Sequence, residues 1–192
     1  STADDDWDGT VTEKEAQNEQ DFATMILENL RKAGVQNTYK GERIVFDRLD
    51  AFPGKAIAAR GEFTDASGER RSVAVTIGPE HGTVGKDQIR DAAKEAMKGA
   101  GVDVLLVCGF AFDGSVSEEA KQYGALTVLP TRMNPDLTMD ELLKKTGAGN
   151  LFMVFGEPDV EIREAGDSLV VEVRGVDVYD PTTGEVRSGS TD

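Results

Sequence analysis

The chain has 192 residues, of which 39% are hydrophobic and 30% charged, a composition suited to one folded core. No apolar run nears the roughly 18 residues of a membrane span, the N-terminus lacks the basic and apolar regions of a secretion signal, and one cysteine allows no intrachain disulfide; a cytoplasmic setting is the expectation. The net charge is −15, with eight acids and one base in residues 1–21, so phosphate backbones are repelled except at a local basic patch.

Residues 1–11 are acidic and almost free of apolar groups, as a disordered linker is; Trp7 there is a linker residue or a docking anchor. Thr12 and Glu15 have the spacing of a capping box. Phe22, Met25, Ile26, Leu30 and Ala33 then recur at helical intervals up to Gly34, where a helix-ending glycine belongs. Extended segments are predicted at 42–52, 55–65 and 70–78, the last two joined by the hairpin turn "DASGE". A helix is predicted over 86–101. The segment "DVLLVCGFAF" (103–112) is apolar on both faces, as a central parallel strand is.

Ser115 and Glu118 are spaced to cap a short helix ending near Gly124, and "ALTVLP" (125–130) reads as another buried strand. Thr138 with Glu141 opens a short helix, "MDELLKK". From Asn150 the pattern changes to about four strands joined by glycine, aspartate and "PTTG" turns. The predicted fold class is α/β, a mixed central sheet flanked by helices and followed by a C-terminal antiparallel β-meander. The predicted organisation is a linker at 1–11, an α/β domain at 12–145, and the meander at 146–192 as an extension of that domain.

The stretch "TIGPEHGTVGK" (76–86) combines a strand, a glycine-rich turn and the start of a helix, the layout of many phosphate sites and of several nuclease sites. A phosphate loop needs a glycine where Glu80 stands and a hydroxyl where Asp87 stands, so two acids oppose that reading. His81 is the lone histidine with Glu80 as its one hard neighbour, too few ligands for zinc, and it reads as a surface-loop residue. Cys108 lies in the most apolar segment and reads as a buried, inert thiol. The segment "KKTGAGN" (144–150) reads as a helix-to-strand turn, because a helix C-terminus repels phosphate, and "YDPTTG" (179–184) reads as a hairpin turn.

Residues 70–145 resemble, in element order, the Mrr-type restriction-endonuclease-like fold, which carries an acid-x-lysine pair on a core strand to hold magnesium and activate water. In that alignment the acid position is Thr76 and the lysine position is Gly78, neither of which chelates a cation or moves a proton. The centre is expected to be vacant, with no catalytic residues and no metal. The alternative is a divalent-metal-dependent nuclease with a relocated site using Glu62, Glu80 and Lys86.

Lys86, Arg90, Lys94 and Lys98 fall four apart on one helix face, and the candidate DNA-binding set is Arg70, Arg71, Lys86, Arg90 and Lys94. Asp87, Asp91 and Glu95 each precede a base of that stripe by three residues and are placed to neutralise it.

The blocks "ILENLRKAGVQNTYKGERIVFD", "VAVTIGPEHGTVG", "LLKKTGAGNLFMVFGEPDVEI" and "VRGVDVYDPTTGEVRSGSTD" are similar to the C-terminal region of prokaryotic site-specific adenine DNA methyltransferases, of the type III modification-subunit kind. The resemblance is collinear over most of residues 22–192. It implies a parent enzyme that moves a methyl group from S-adenosylmethionine to adenine, using a glycine-rich cofactor motif and a D/N-P-P-Y/F motif that holds the flipped base. Neither motif is present: "YDPT" (179–182) has no second proline and no following aromatic, and the chain stops at "STD", where the relatives continue. The expectation is a C-terminal piece with no cofactor of its own and an accessory role in target engagement or docking. Its implied partners are DNA, a restriction or helicase subunit, or a second methyltransferase copy, with no membrane. A purely structural protein-interaction domain is the further alternative.

Overall fold

The computed structural model describes residues 12–37, 41–139 and 150–155, and the strand backbones at 158–165, 168–180 and 185–190. The predicted linker at 1–11, the turns "KKTGAGN" and "PTTG", and the helix "MDELLKK" lie outside the described residues, apart from Met139 and Asn150.

Helix α1 (Glu13–Ala33) begins with the predicted capping box. Thr12 Oγ1 accepts the Glu15 N–H at 3.2 Å, and the Glu15 carboxylate accepts the Thr12 N–H at 2.9 Å. Residues 13–21 are all exposed, and the buried face (Ile26, Leu27, Leu30, Ala33) belongs to the second half. The helix stops at Gly34, whose φ of 67° and ψ of −168° lie in a region open essentially to glycine alone. A Cβ there would also run into the carbonyl oxygen of Ile44.

Eight strands form one mixed sheet: β1 (Val35–Asn37), β2 (Glu42–Ile44), β3 (Phe46–Ala51), β4 (Ala59–Thr64), β5 (Arg70–Ile77), β6 (Val104–Gly109), β7 (Thr127–Met133) and β8 (Phe152–Val154). Their order is β2-β1-β8-β7-β6-β5-β4-β3. Strands β3, β4 and β5 are antiparallel neighbours, β5, β6 and β7 run parallel, and β8 is antiparallel to β7 and parallel to β1. Helices α2 (Lys86–Ala96) and α3 (Val116–Ala120) lie on the two parallel crossovers, and the 3₁₀ turn η1 (Pro135–Thr138) follows β7. Three further strands, β9 (Pro158–Ala165), β10 (Ser168–Asp180) and β11 (Glu185–Ser190), make an antiparallel sheet with β10 in the middle.

The segment predicted as one strand over 42–52 is two strands, and they occupy opposite edges of the large sheet. Only Val45 lies between them. Ile44 and Phe46 therefore have Cα atoms no more than about 7.6 Å apart, whereas eight strands laid open span roughly 34 Å. The sheet must curl until its edges meet at Val45. It curls around α1, whose buried residues share one apolar cluster with side chains from all eight strands, among them Val35, Ile44, Leu49, Phe63, Val75, Leu106, Leu129 and Phe152. Two arginines tie the end of the helix to both edges. Arg43 Nε, from β2, donates to the Ala33 carbonyl at 2.9 Å, and Arg31 Nε, from α1, donates to the Leu49 carbonyl of β3 at 2.6 Å. The first of these also satisfies a carbonyl that a helix end leaves unpaired.

A second apolar cluster fills the other face beneath α2 and α3, with Ala74, Leu105, Val107 and Val128 from the sheet. Alternation along β6 divides Val104, Leu106 and Cys108 from Leu105 and Val107, so the strand is apolar on both sides as predicted. Other predictions shift. α2 ends at Ala96, short of 101, because Gly99 and Gly101 take φ of 68° and 66°. Ser115 does not cap α3; its N–H and hydroxyl both donate to Asp113 Oδ1 at 2.9 Å. Strand β1 was not predicted, being three residues long, and β8, predicted to open the meander, joins the large sheet between β1 and β7. Among the described residues, no helix is long and apolar enough to cross a membrane.

Gly34→Ala is expected to cost at least about 2 kcal/mol, from the backbone region alone and more from the contact with Ile44. A lowered urea midpoint at unchanged slope is the readout. An unaltered midpoint would mean that the helix end and β2 do not meet as described.

Candidate functional site

The candidate nuclease centre falls at the carboxyl end of β5, where the chain leaves the sheet for the 78–85 loop and α2. Thr76, at the acid position, is buried, and its hydroxyl accepts from Gln88 Nε2 of α2 at 3.3 Å. Gly78, at the lysine position, has no room for a side chain. A Cβ there would stand 2.5 Å from Val84 Cγ2 and 3.2 Å from the Cys108 carbonyl oxygen. The same Val84 methyl would lie 2.7 Å from a Cβ on Gly109, the neighbouring strand's last residue. Val84 therefore plugs the gap that the two glycines create.

The loop is held in that position by the backbone. Gly78 N–H donates to Cys108 at 2.7 Å, Val84 N–H to Ala111 at 2.9 Å, and Asp113 N–H to Val84 at 2.8 Å. Two of the loop's own N–H groups are thus spent on the sheet and its continuation, not turned outward to cradle a phosphate. The position is sterically filled as well as chemically inert.

The residues of the relocated site do not come together. Glu62 pairs in register with Ser72, five residues before β5 ends at Ile77, or roughly 17 Å along the strand. Its carboxylate lies 3.9 Å from Arg48 and 4.0 Å from Arg70. Glu80 lies beyond the other end of β5, exposed and 3.8 Å from His81. Among the described residues, no three Asp, Glu, His or Cys side chains are grouped to hold a metal ion. His81 is a surface residue with a side chain 89% exposed. Cys108 is fully buried, and burial pushes its thiol up to about 12, so it stays protonated and unreactive.

Nor do the five candidate DNA-binding residues form one patch. Arg70 and Arg71 start β5, and Lys86 lies past its end, about 23 Å of strand away. Three of the five have partners. Arg70 reaches Glu62, and Arg71 is gripped by Asp65 and Glu69, each at 2.9 Å. Asp65 also accepts from Ser67 Oγ at 2.6 Å and from the Glu69 N–H at 2.9 Å, which makes it the organiser of the β4–β5 turn. The Ser67 hydroxyl, then Arg71, hold its carboxyl well below the ordinary carboxylate range.

Arg90 is a tie between helices. Its Nε donates to Glu119 Oε1 at 2.9 Å, and Tyr123 donates to the same oxygen at 2.7 Å. Glu119 is 6% exposed. The Tyr123 hydroxyl and then Arg90 keep its carboxyl below the usual value, while burial and the Glu119 carboxylate push the Tyr123 phenol up to about 12. The acidic stripe neutralises less than its spacing suggests. Asp87 comes within 3.7 Å of Arg90, but Glu95 turns inward to accept the Ala56 N–H at 2.8 Å. Among the described residues, Lys86, Lys94 and Lys98 enter no ion pair.

Two functional-looking groups escaped the sequence reading. Glu119 could have been suspected from Tyr123 one helical turn later. Arg132, near the end of the largely buried strand β7, could have been suspected from its setting alone. No family model, no curated protein and no solved structure matches this chain.

Gly78→Ala is expected to cost about 1–3 kcal/mol through overpacking against Val84, read from urea unfolding. The double variant Thr76→Asp, Gly78→Lys is expected to leave supercoiled plasmid intact in Mg²⁺; cleavage would mean that the space at Gly78 opens. Glu119 and Asp65 are held below their ordinary values of 4.5 and 3.8, so their contribution is complete above those values and is lost as pH falls through the lower folded-state ones. The urea midpoint should hold steady down to about pH 5 and drop below it, with Glu119→Gln flattening the drop. An identical acid limb in that variant would contradict the Arg90–Glu119–Tyr123 arrangement.

Proposed function

We propose that this chain is a non-catalytic accessory domain of an adenine-specific DNA methyltransferase of the type III-like kind, built on a restriction-endonuclease-like sheet with a C-terminal β-meander, and that it serves to dock a protein partner. The observation that carries the non-catalytic reading is the filled space at Gly78, where Val84 Cγ2 stands 2.5 Å from any Cβ. The order β5, glycine loop, α2, β6, α3, β7 supports the endonuclease-like reading, because that fold sets its metal strand before just such a loop and helix. The methyltransferase parent is supported by the collinear sequence blocks, and S-adenosylmethionine would belong to the parent's catalytic region.

Docking is favoured over DNA contact by charge. Arg70, Arg71 and Arg90 are occupied by Glu62, Asp65, Glu69 and Glu119. The exposed first half of α1, residues 13–21, adds four acids against one base. Such a surface suits a basic face on a restriction or helicase subunit or on a second methyltransferase copy, and it repels a duplex. The second reading, DNA engagement, is favoured by Lys86 and Lys94 of α2 and Lys98 just beyond it, which enter no ion pair among the described residues.

Fluorescence anisotropy with labelled duplex at physiological salt is expected to give a Kd weaker than about 10⁻⁴ M. Tighter binding, with a salt slope that falls by about 2.7 in a Lys86→Ala, Lys94→Ala, Lys98→Ala variant, would replace docking by the DNA reading. Sequencing the reading frame ahead of Ser1 should reveal a glycine-rich cofactor motif and a D/N-P-P-Y/F motif. A frame lacking both removes the methyltransferase parent.

A further inference from the structure

Arg132 lies near the carboxyl end of β7, opposite Gly109 of β6 and Met153 of β8. Alternation puts it on the face of Val128, the side covered by α2 and α3. Its Nε is sealed from solvent and has no hydrogen-bond partner. Among the described residues no carboxylate pairs with this guanidinium, although the chain has 36 acids. Every other arginine with a described side chain is engaged: Arg31, Arg43 and Arg60 on carbonyl oxygens, and Arg48, Arg70, Arg71 and Arg90 on carboxylates. Arg60 Nε is likewise sealed and unpartnered, but its guanidinium is held through Nη2 on the Glu95 carbonyl. The half-buried Arg132 has no such second anchor among the described residues. An unsatisfied buried N–H costs stability and calls for an explanation, a bound group being one.

A cleft of about 270 Å³ opens beside it, lined by Arg132, Asn134, Asn150 and Met153. Asn134 Oδ1 accepts the Asp136 N–H at 2.9 Å, which orients the carboxamide and leaves its Nδ2 to donate elsewhere. The lining therefore offers a cationic fork, two carboxamides and a thioether, with no acid among the four. It lies at the carboxyl end of β7, between the parallel partner β6 and the antiparallel partner β8.

We propose that this cleft binds a phosphate group. Arg132 supplies the charged fork, Asn134 and Asn150 donate to the remaining oxygens, and Met153 packs on the uncharged substituent that carries the phosphate. The volume is just under the roughly 300–1,000 Å³ of pockets that enclose drug-sized ligands, and suits a phosphate with one small organic group. The inference stands apart from the methyltransferase reading and does not require it.

The test is a titration followed by the ¹H–¹⁵N signals of arginine Nε groups, in phosphate-free buffer with chloride at matched ionic strength as control. The probes are inorganic phosphate, a nucleoside 5′-monophosphate and a short single-stranded oligonucleotide. The Arg132 signal, identified by its loss in Arg132→Gln, is expected to shift saturably. Binding should weaken at least about tenfold in Arg132→Gln and in Asn150→Asp, which sets a carboxylate on the exposed rim. Tightest binding of the monophosphate identifies a small phosphate ester, and tightest binding of the oligonucleotide identifies a nucleic-acid phosphate. In the absence of ligand, Arg132→Gln is expected to melt no lower than wild type, since it removes an unsatisfied group. No saturable shift with any probe, or equal affinity in wild type and Asn150→Asp, overturns the proposal even if Arg132→Gln fails to fold.

Discussion

One contact governs the architecture: the second half of α1 buried against a sheet that curls round it until β2 and β3, the two edges, are joined through Val45. An eight-stranded sheet left open would expose two long edges and one apolar face. Here one helix covers that face, and Arg31 and Arg43 fasten its end to both edges. Gly34 is required because the chain must reverse from the helix into β1 while passing against Ile44 of β2. The other face is organised more conventionally, with α2 and α3 packed over the parallel strands and locked to each other by Arg90 and Glu119.

The same packing decides the chemistry at the end of β5. Glycines at 78 and 109 leave a groove between neighbouring strands, and Val84 fills it. A cation site needs convergent carboxylates around an open position; this position has a buried threonine held by Gln88, two glycines and a valine methyl. The glycine-rich loop is fastened over the strand ends by its backbone bonds to Cys108 and Ala111.

Arginines that look available by spacing are committed: Arg71 to the β4–β5 turn, Arg90 to the helix pair. Among the described residues, Arg132, which spacing does not single out, enters no ion pair, and its sealed Nε, like that of Arg60, has no hydrogen-bond partner. Among the described residues, the lining of its cleft is Arg132, Asn134, Asn150 and Met153, with no carboxylate.

Local patterns determined much of this protein. The capping box at Thr12, the helical spacing through Ala33, the hairpin turn at Asp65 and the doubly apolar β6 each rest on interactions between residues close in sequence, so they are legible without a fold. What only the tertiary structure decided depends on residues distant in sequence. The split at Val45, the placement of β8 between β1 and β7, the diversion of Glu95 to Ala56 and the pairing of Arg90 with Glu119 all require knowing which strand lies beside which. Spacing along a chain measures neighbours on one helix or one hairpin, and curling the sheet around α1 creates neighbours that no spacing records.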